Sequence, residues 1–228
     1  PDIPHPTAFG DSNLISDGDR LNKLFFGYTL TYNTTNSPVS PTDGLIATFS
    51  QQYVGWGQNY LRTEAKARYF KELVRDSGIV ASIRGQAGVV SDLGGSGAHA
   101  TETYFKGPNL VRGFQGGGMG PRAANGELLG SMMFAGISAE LEFPIPVLPE
   151  SYGIHGAVWA DVGYLSGASP SVSALTVSGN TQQVRTSVGA SIIWNSPFGP
   201  LRGDFAHVIQ QDTGDKTQVF QFTISTLL

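Results

Sequence analysis

The chain has 228 residues, a formal net charge of −4 and no cysteine. The acidic balance and the absence of any basic run exclude nucleic acid as a partner, and the lack of cysteine excludes disulfides and thiolate metal sites. Only 14% of the residues are charged, against about 25% in ordinary soluble domains. Glycine and small polar residues replace the missing charge, which is typical of many strands joined by turns.

Nine segments alternate apolar and polar residues with a period of two, which predicts β-strands. The clearest is 60–71, in which four charged residues share one face and apolar residues share the other. A helix would distribute those charges around its axis, whereas a strand places them on one side. The predicted strands are 24–34, 45–54, 60–71, 79–90, 133–143, 154–165, 184–194, 201–208 and 216–228.

The connectors between these segments alternate in length, with short turns rich in Pro and Gly between longer loops such as 91–126 and 166–182. The segments are long enough to cross a bilayer at a tilt. We therefore predict an all-β fold, an antiparallel transmembrane β-barrel with an apolar outer face and a polar inner face. The alternative is a soluble β-sandwich, which would have to bury the charges of 60–71 or expose a large apolar face to water.

One long loop, 107–122, is rich in glycine and has no periodicity, so it is predicted to be neither strand nor helix. Within it, Arg112 stands between apolar residues in the order Val111, Arg112, Gly113, Phe114. Glycines allow close packing against other surfaces, and one arginine can be directed at a specific acceptor. The alternative interpretation is a surface loop with a solvated arginine.

Six motifs in order carry a resemblance to a known family, namely VRGF with a following GPR, SAELEFPIP, WADVG, WNSPFGPLRGDFA and DKTQVFQFTIS. Together they resemble the C-terminal barrel of the BamA family of outer-membrane protein assembly factors, within the superfamily of bacterial surface antigens. The resemblance implies that residues 1–228 are about nine C-terminal strands of a sixteen-stranded barrel. It also implies periplasmic repeat domains upstream and a location in the outer membrane of a Gram-negative bacterium.

In that family the long loop folds back into the barrel, and its arginine meets acidic side chains on the inner wall. The matching positions here are Arg112, Glu142 and Asp161. The alternation of the strands agrees independently, because Glu142 and Asp161 both fall on the polar faces of neighbouring predicted strands. We therefore expect Arg112 to lie inside the barrel, within hydrogen-bonding reach of Glu142 or Asp161.

The last predicted strand has an apolar face that we expect to meet lipid and to serve as the assembly signal of the barrel. Its members are Phe220, Phe222, Ile224 and Leu228.

The resemblance implies a factor that folds and inserts β-barrel proteins through a lateral seam between its first and last strands. The implied partners are outer-membrane lipids, unfolded outer-membrane protein clients and accessory assembly lipoproteins. The alternative is a secretion pore or passive channel of the same superfamily. The histidines are dispersed and no hydrolase or metalloprotease motif occurs, so we expect no enzymatic activity, no cofactor and no metal site.

Overall fold

The computed structural model describes residues 24–56, 58–94, 98–169, 176–178, 183–196 and 199–224. The strands in chain order are β1 (Leu24–Asn33), β2 (Asp43–Gly55), β3 (Tyr60–Glu72), β4 (Val80–Asp92), β5 (Arg122–Ala123), β6 (Met133–Pro144), β7 (Ile154–Ser166), β8 (Thr176–Ser178), β9 (Val184–Ser196), β10 (Gly199–Gln210) and β11 (Phe220–Ile224). Single-turn 3-10 helices lie at Ala100–Glu102 and Glu150–Tyr152 in the described part of the chain. No helix in the described ranges is long and apolar enough to cross a membrane.

Nine of these strands form one sheet in the order β1-β2-β3-β4-β6-β7-β9-β10-β11, and β5 and β8 pair separately. Every neighbouring pair in the large sheet is antiparallel. The nine strands predicted from the sequence are therefore confirmed. The alternative of a β-sandwich is wrong, because the strands build a single large sheet rather than two packed layers.

The two faces of the sheet differ as the alternation predicted. On β6, Ile137 is 61% exposed on the outer face, whereas Ser138 and Glu140 on the inner face are buried. Outward-facing large apolar side chains recur along the sheet, from Leu30 on β1 to Phe205 on β10. This distribution is the one expected of a barrel in a bilayer, with apolar groups outward and polar groups inward.

The sheet is strongly curved toward its polar face. Arg68 on β3 and Arg202 on β10 both donate hydrogen bonds to Glu140 on β6. In a flat sheet β10 and β6 would lie about 14 Å apart, because two strands separate them and neighbouring strands are spaced by about 4.8 Å. One guanidinium cannot cover that distance, so the inner face must be concave.

Successive connections alternate between the two sides of the sheet, and the two longest lie on one side, whereas the lengths of the others do not follow the predicted pattern. One side carries 34–42, 73–79 and 145–153. The opposite side carries the long connection 93–132, which contains β5 and the glycine-rich loop, together with 56–59, 167–183 and 211–219. Both long connectors of the sequence prediction thus fall on the same side of the sheet.

The start of the last strand is a correction to the sequence prediction. Alternation placed it at residue 216, but β11 begins at Phe220. The residues before it pair with the glycine-rich loop instead, since the backbone N–H of Gln115 donates to the carbonyl of Lys216 at 2.9 Å and that of Gln218 donates to the carbonyl of Gly113 at 2.8 Å. Alternation continues through such a segment and does not reveal which partner it pairs with.

Three residues of the predicted lipid-facing set lie on the outer face of β11. Phe220, Phe222 and Ile224 are all more than half exposed, whereas Gln221 and Thr223 between them face inward. Leu228 lies outside the described residues. The alternation predicted for this strand therefore holds over the part that the structure describes.

Replacing Phe222 with Asp should reduce insertion of the protein into the outer membrane. A charged side chain on the lipid face costs about 2–4 kcal/mol for Arg or Lys at the midplane and somewhat less for Asp. The measurement is the amount of heat-modifiable protein in the membrane fraction. Gln221→Asp is the matched control, because Gln221 lines a polar cavity with Arg68 and Arg202. Equal insertion of both variants would show that Phe222 does not face lipid.

Candidate functional site

The glycine-rich loop lies against the concave inner face of the sheet. Val111 and Phe114 are completely buried, and Leu110 and Met119 are buried beside them. These side chains form an apolar cluster with inward-facing residues of the strands and the loop, namely Val54, Tyr60, Val90, Ala98, Tyr104, Phe134 and Leu165. The alternative of a solvated surface loop is therefore wrong.

Below this apolar cluster, Arg112 enters the polar part of the inner wall. Its backbone N–H donates to Asp161 Oδ2 at 3.0 Å, Nε donates to the same oxygen at 2.8 Å and Nη2 donates to Oδ1 at 2.8 Å. Nη1 donates to Glu140 Oε2 at 2.6 Å, and Nη2 donates to Ser138 Oγ at 3.0 Å. The guanidinium also lies 3.8 Å from the ring centre of Trp159, a cation–π contact. Arg112 thus uses the planar fork that lysine lacks.

Glu140 joins the loop to two further strands. Arg202 on β10 donates to both of its carboxylate oxygens, at 3.0 and 2.6 Å, and Arg68 on β3 donates at 3.3 Å. Arg202 also donates to Asp204 at 2.8 Å, and Asp204 lies 3.7 Å from Arg112. One carboxylate therefore accepts from three guanidinium groups that come from three different parts of the chain.

The network keeps Arg112 charged although it is buried. Burial by itself lowers the pKa of the Arg112 guanidinium, but the hydrogen bonds and negative charges of Asp161 and Glu140 outweigh this and raise the pKa above its ordinary value. Asp161 is almost completely buried and Arg112 nearly so. At this depth the loss of one partner is costly, because the remaining charge cannot be solvated.

The structure places Arg112 against Asp161, as the sequence predicted, but not against Glu142. Among the described residues, Arg112 and Glu142 share no hydrogen bond or ion pair. Glu142 instead lies beside His155, whose Nδ1 is 2.8 Å from Glu142 Oε1, with both side chains about one third exposed. Glu140 occupies the position that Glu142 was expected to take.

The register between β6 and β7 explains this correction. Ser138 is opposite Asp161, whereas Glu142 is opposite Ala157, four residues farther along each strand. Four residues of strand span about 13 Å, so a side chain bound at Asp161 cannot also reach Glu142. Glu140 lies half that distance away and on the same face, which brings it within reach.

The remaining members of the VRGF motif have separate structural roles. Gly113 has a φ of +93°, and a side chain there would meet Val208 and Ala206 of β10. Val111 packs directly on the backbone of Gly163, where a Cβ atom would overlap its Cγ2 atom. Val111 therefore packs against the wall, Arg112 forms the ion pairs, and Gly113 allows the loop backbone to lie close to β10.

The match to a known family is extensive. The family model described as the Omp85 superfamily domain matches residues 8–227. The chain belongs to the Omp85 superfamily. Membership confirms the predicted outer-membrane location and agrees with the open, apolar-out sheet.

Similar proteins within Omp85 include two curated relatives. The outer membrane protein assembly factor BamA of Neorickettsia risticii (strain Illinois) is 32% identical over 200 residues, covering 86% of this chain and 26% of that protein. The protein of the same name from Neisseria meningitidis serogroup B (strain MC58) is 26% identical over 219 residues, covering 85% of this chain and 27% of that protein. The chain thus spans about a quarter of the length of these relatives, and the resemblance predicted from its motifs is confirmed.

A solved Omp85 structure shows the same fold. The crystal structure of BamA from Haemophilus ducreyi lacking POTRA domains 1-3 superposes with a TM-score of 0.76 at 24% identity, covering 90% of this chain and 42% of that chain. The nine antiparallel strands are therefore part of a barrel of this type.

Alternation places Arg68 and Arg202 on the polar, inward faces of their strands, but the sequence did not predict that both reach Glu140. What it could not supply is the curvature that brings β3 and β10 to the same carboxylate. Among the described residues, no group of His, Asp and Glu side chains is arranged to hold a metal ion.

Glu140→Gln should release the loop from the wall, whereas Glu142→Gln should leave it in place. The first substitution removes the charge that three guanidinium groups share, and removing one partner of a buried ion pair typically costs about 3–5 kcal/mol. The measurement is protease access to the loop in intact cells, together with the temperature at which the barrel loses its heat-modifiable form. A loop equally protected in both variants would contradict the assignment of Glu140.

Gly163→Ala should displace the loop without touching any charge. The added methyl group would overlap Val111, which is completely buried, and would also press on Leu110. Overpacking of this kind typically costs about 1–3 kcal/mol. Gly85→Ala on β4 is the control, because a Cβ atom there meets nothing within 4 Å. Unchanged loop protection in Gly163→Ala would show that the loop does not pack as described.

Proposed function

We propose that this chain is the membrane-embedded part of an outer-membrane protein assembly factor, which folds β-barrel proteins and inserts them into the outer membrane. The two curated relatives carry that function in their names, and this chain covers only a part of each. The observation that carries the proposal is the way the last described strand is held. At the end of β11 that faces the long connections, its pairing with β10 stops at Phe205, although β10 itself continues to Gln210.

A terminal strand whose pairing with its neighbour ends early at one side of the sheet is suited to β-augmentation. The edge of β11 opposite β10 has no neighbour among the described strands, and we propose that its N–H and C=O groups pair with an incoming strand. Inside a bilayer such groups have no water to bind, and an incoming client strand satisfies them. Unfolded outer-membrane proteins, which carry alternating strands of their own, are the proposed clients.

Outer-membrane lipids and accessory assembly lipoproteins are the other proposed partners. The apolar outer face supplies the contact with lipid. The proposed activity exchanges backbone hydrogen bonds between strands and requires neither a cofactor nor covalent catalysis, so we infer that the protein is not an enzyme.

The test uses the full-length protein as the only copy in a strain depleted of its own. Arg112→Ala should reduce the amount of folded, heat-modifiable porins in the outer membrane, and Arg112→Lys should restore only part of it because the bidentate fork is lost. Arg75→Ala is the control, since Arg75 forms an exposed ion pair with its neighbour Asp76. Such a pair contributes about 0–1 kcal/mol at most.

Porin levels that stay normal after depletion of the protein itself would overturn the proposed function. The alternative from the sequence, a secretion pore or passive channel, has its own signature. It would give steady, solute-selective conductance of the purified protein in planar bilayers, together with normal porin assembly.

A further inference from the structure

A second buried arginine lies on the side of the sheet that carries the long connections. Arg185 is at the start of β9, and its side chain has no exposed surface. Nε donates to Asp215 Oδ2 at 2.9 Å and Nη2 donates to Oδ1 at 3.2 Å, while Nη2 also approaches Asp212 Oδ2 at 3.4 Å. Nη1 donates to the carbonyl of Gln183 at 3.1 Å. None of these residues belongs to the Arg112 network.

The two carboxylates hold the connection between β10 and β11 in one shape. The backbone N–H of Asp212 donates to Asp215 Oδ2 at 2.8 Å, and that of Thr213 donates to Asp212 Oδ1 at 2.7 Å. The N–H of Asp215 returns to the carbonyl of Asp212 at 3.2 Å. Arg185 is a cation that pairs with both of these buried acids, and buried carboxylates that lose a charged partner are strongly destabilised.

Directly after this turn the chain pairs with the glycine-rich loop. Lys216 donates its backbone N–H to the carbonyl of Gly118 at 2.9 Å and accepts from the N–H of Gln115 at 2.9 Å. Gln218 donates to the carbonyl of Gly113 at 2.8 Å. We call this stretch, 113–118 with 216–218, the loop–strand junction.

The junction decides where the last strand begins. On one side β10 continues to Gln210 in contact with β9, but on the other side its pairing with β11 ends at Phe205, with one further bond from the N–H of Ala206 to the carbonyl of Val219. Residues 216–218 therefore leave the direction of the sheet and turn toward the lumen. They pair with the loop in place of β10.

We propose that Arg185 is a positioning residue for the last strand. By fixing the turn 212–215, it directs residues 216–218 into the loop–strand junction and so limits the pairing of β11 with β10. The consequence for assembly rests on the proposed function, since β11 is the strand at which a client would pair. The effect of Arg185 on the loop–strand junction does not depend on the proposed function.

The test is a disulfide reporter of the junction in the full-length protein, in isolated outer membranes. The chain has no cysteine, so a pair introduced at Gln115 and Lys216 has no competitor within it. The backbone N–H of Gln115 donates to the carbonyl of Lys216 at 2.9 Å, so the two residues lie opposite each other in the junction, and both are exposed to mild oxidation. Arg185→Gln should lower the cross-linked fraction several-fold, and Arg185→Lys should give an intermediate value.

Two controls separate positioning from general damage. Arg75→Gln removes an exposed arginine from a turn and should leave cross-linking at the parental level. A second cysteine pair at Ala65 and Ala87, which are directly opposite on β3 and β4, reports the sheet and should cross-link equally with and without Arg185. If Arg185→Gln does not accumulate, Asp215→Asn keeps the side-chain volume and should show the same loss at the junction.

Parental cross-linking at the junction in the variants of Arg185 and Asp215 would overturn the proposal. Because the reporter measures the distance between two segments rather than porin assembly, this outcome is independent of the proposed function. If cross-linking is lost but porin levels stay normal, Arg185 is confirmed as the positioning residue. That result would contradict only the proposal that clients pair at β11.

Discussion

The buried guanidinium of Arg112 is the group on which the arrangement of the inner wall depends. A charge at this depth is tolerated only with carboxylates around it, and the chain supplies Asp161 from β7, Glu140 from β6 and Asp204 from β10. Three strands must therefore curve toward one point. The concave sheet and the inward position of the loop both follow from this electrostatic requirement.

Apolar packing acts together with this network, and a glycine of the wall leaves room for it. Val111 and Phe114 are completely buried beside the arginine, and Val111 reaches the wall at Gly163, where a side chain would overlap it. Burial of a large apolar side chain contributes about 1.5–3 kcal/mol. The ion pairs set the position and orientation of the loop, whereas the apolar contacts add non-directional stability.

The sequence predicted the strands and their faces well, because alternation with a period of two is a local property. It placed Asp161 on the inner wall correctly and could not distinguish Glu140 from Glu142, since both share a face and only the register with β7 decides which one lies near Arg112. The same limit applies to residues 216–218, where alternation continues although the pairing partner changes from β10 to the loop. The cluster around Arg185 gave no signal, because its two acids lie in a turn, where no periodicity indicates which way they point.

The loop is attached to the two sides of the barrel by different kinds of bond. Toward β6, β7 and β10 it is held by charged side chains whose geometry admits few substitutes, whereas toward the last strand it is held by backbone hydrogen bonds at 216–218. Backbone bonds carry no sequence specificity, so any extended segment offers the same donors and acceptors. A barrel that exchanges strands at one place needs backbone hydrogen bonds there, because another strand can form the same bonds. Elsewhere it needs specific ion pairs that hold the loop in place. The division between the Arg112 network and the loop–strand junction meets that requirement, because pairing at the last strand can change without removing the charge that keeps the loop in the lumen.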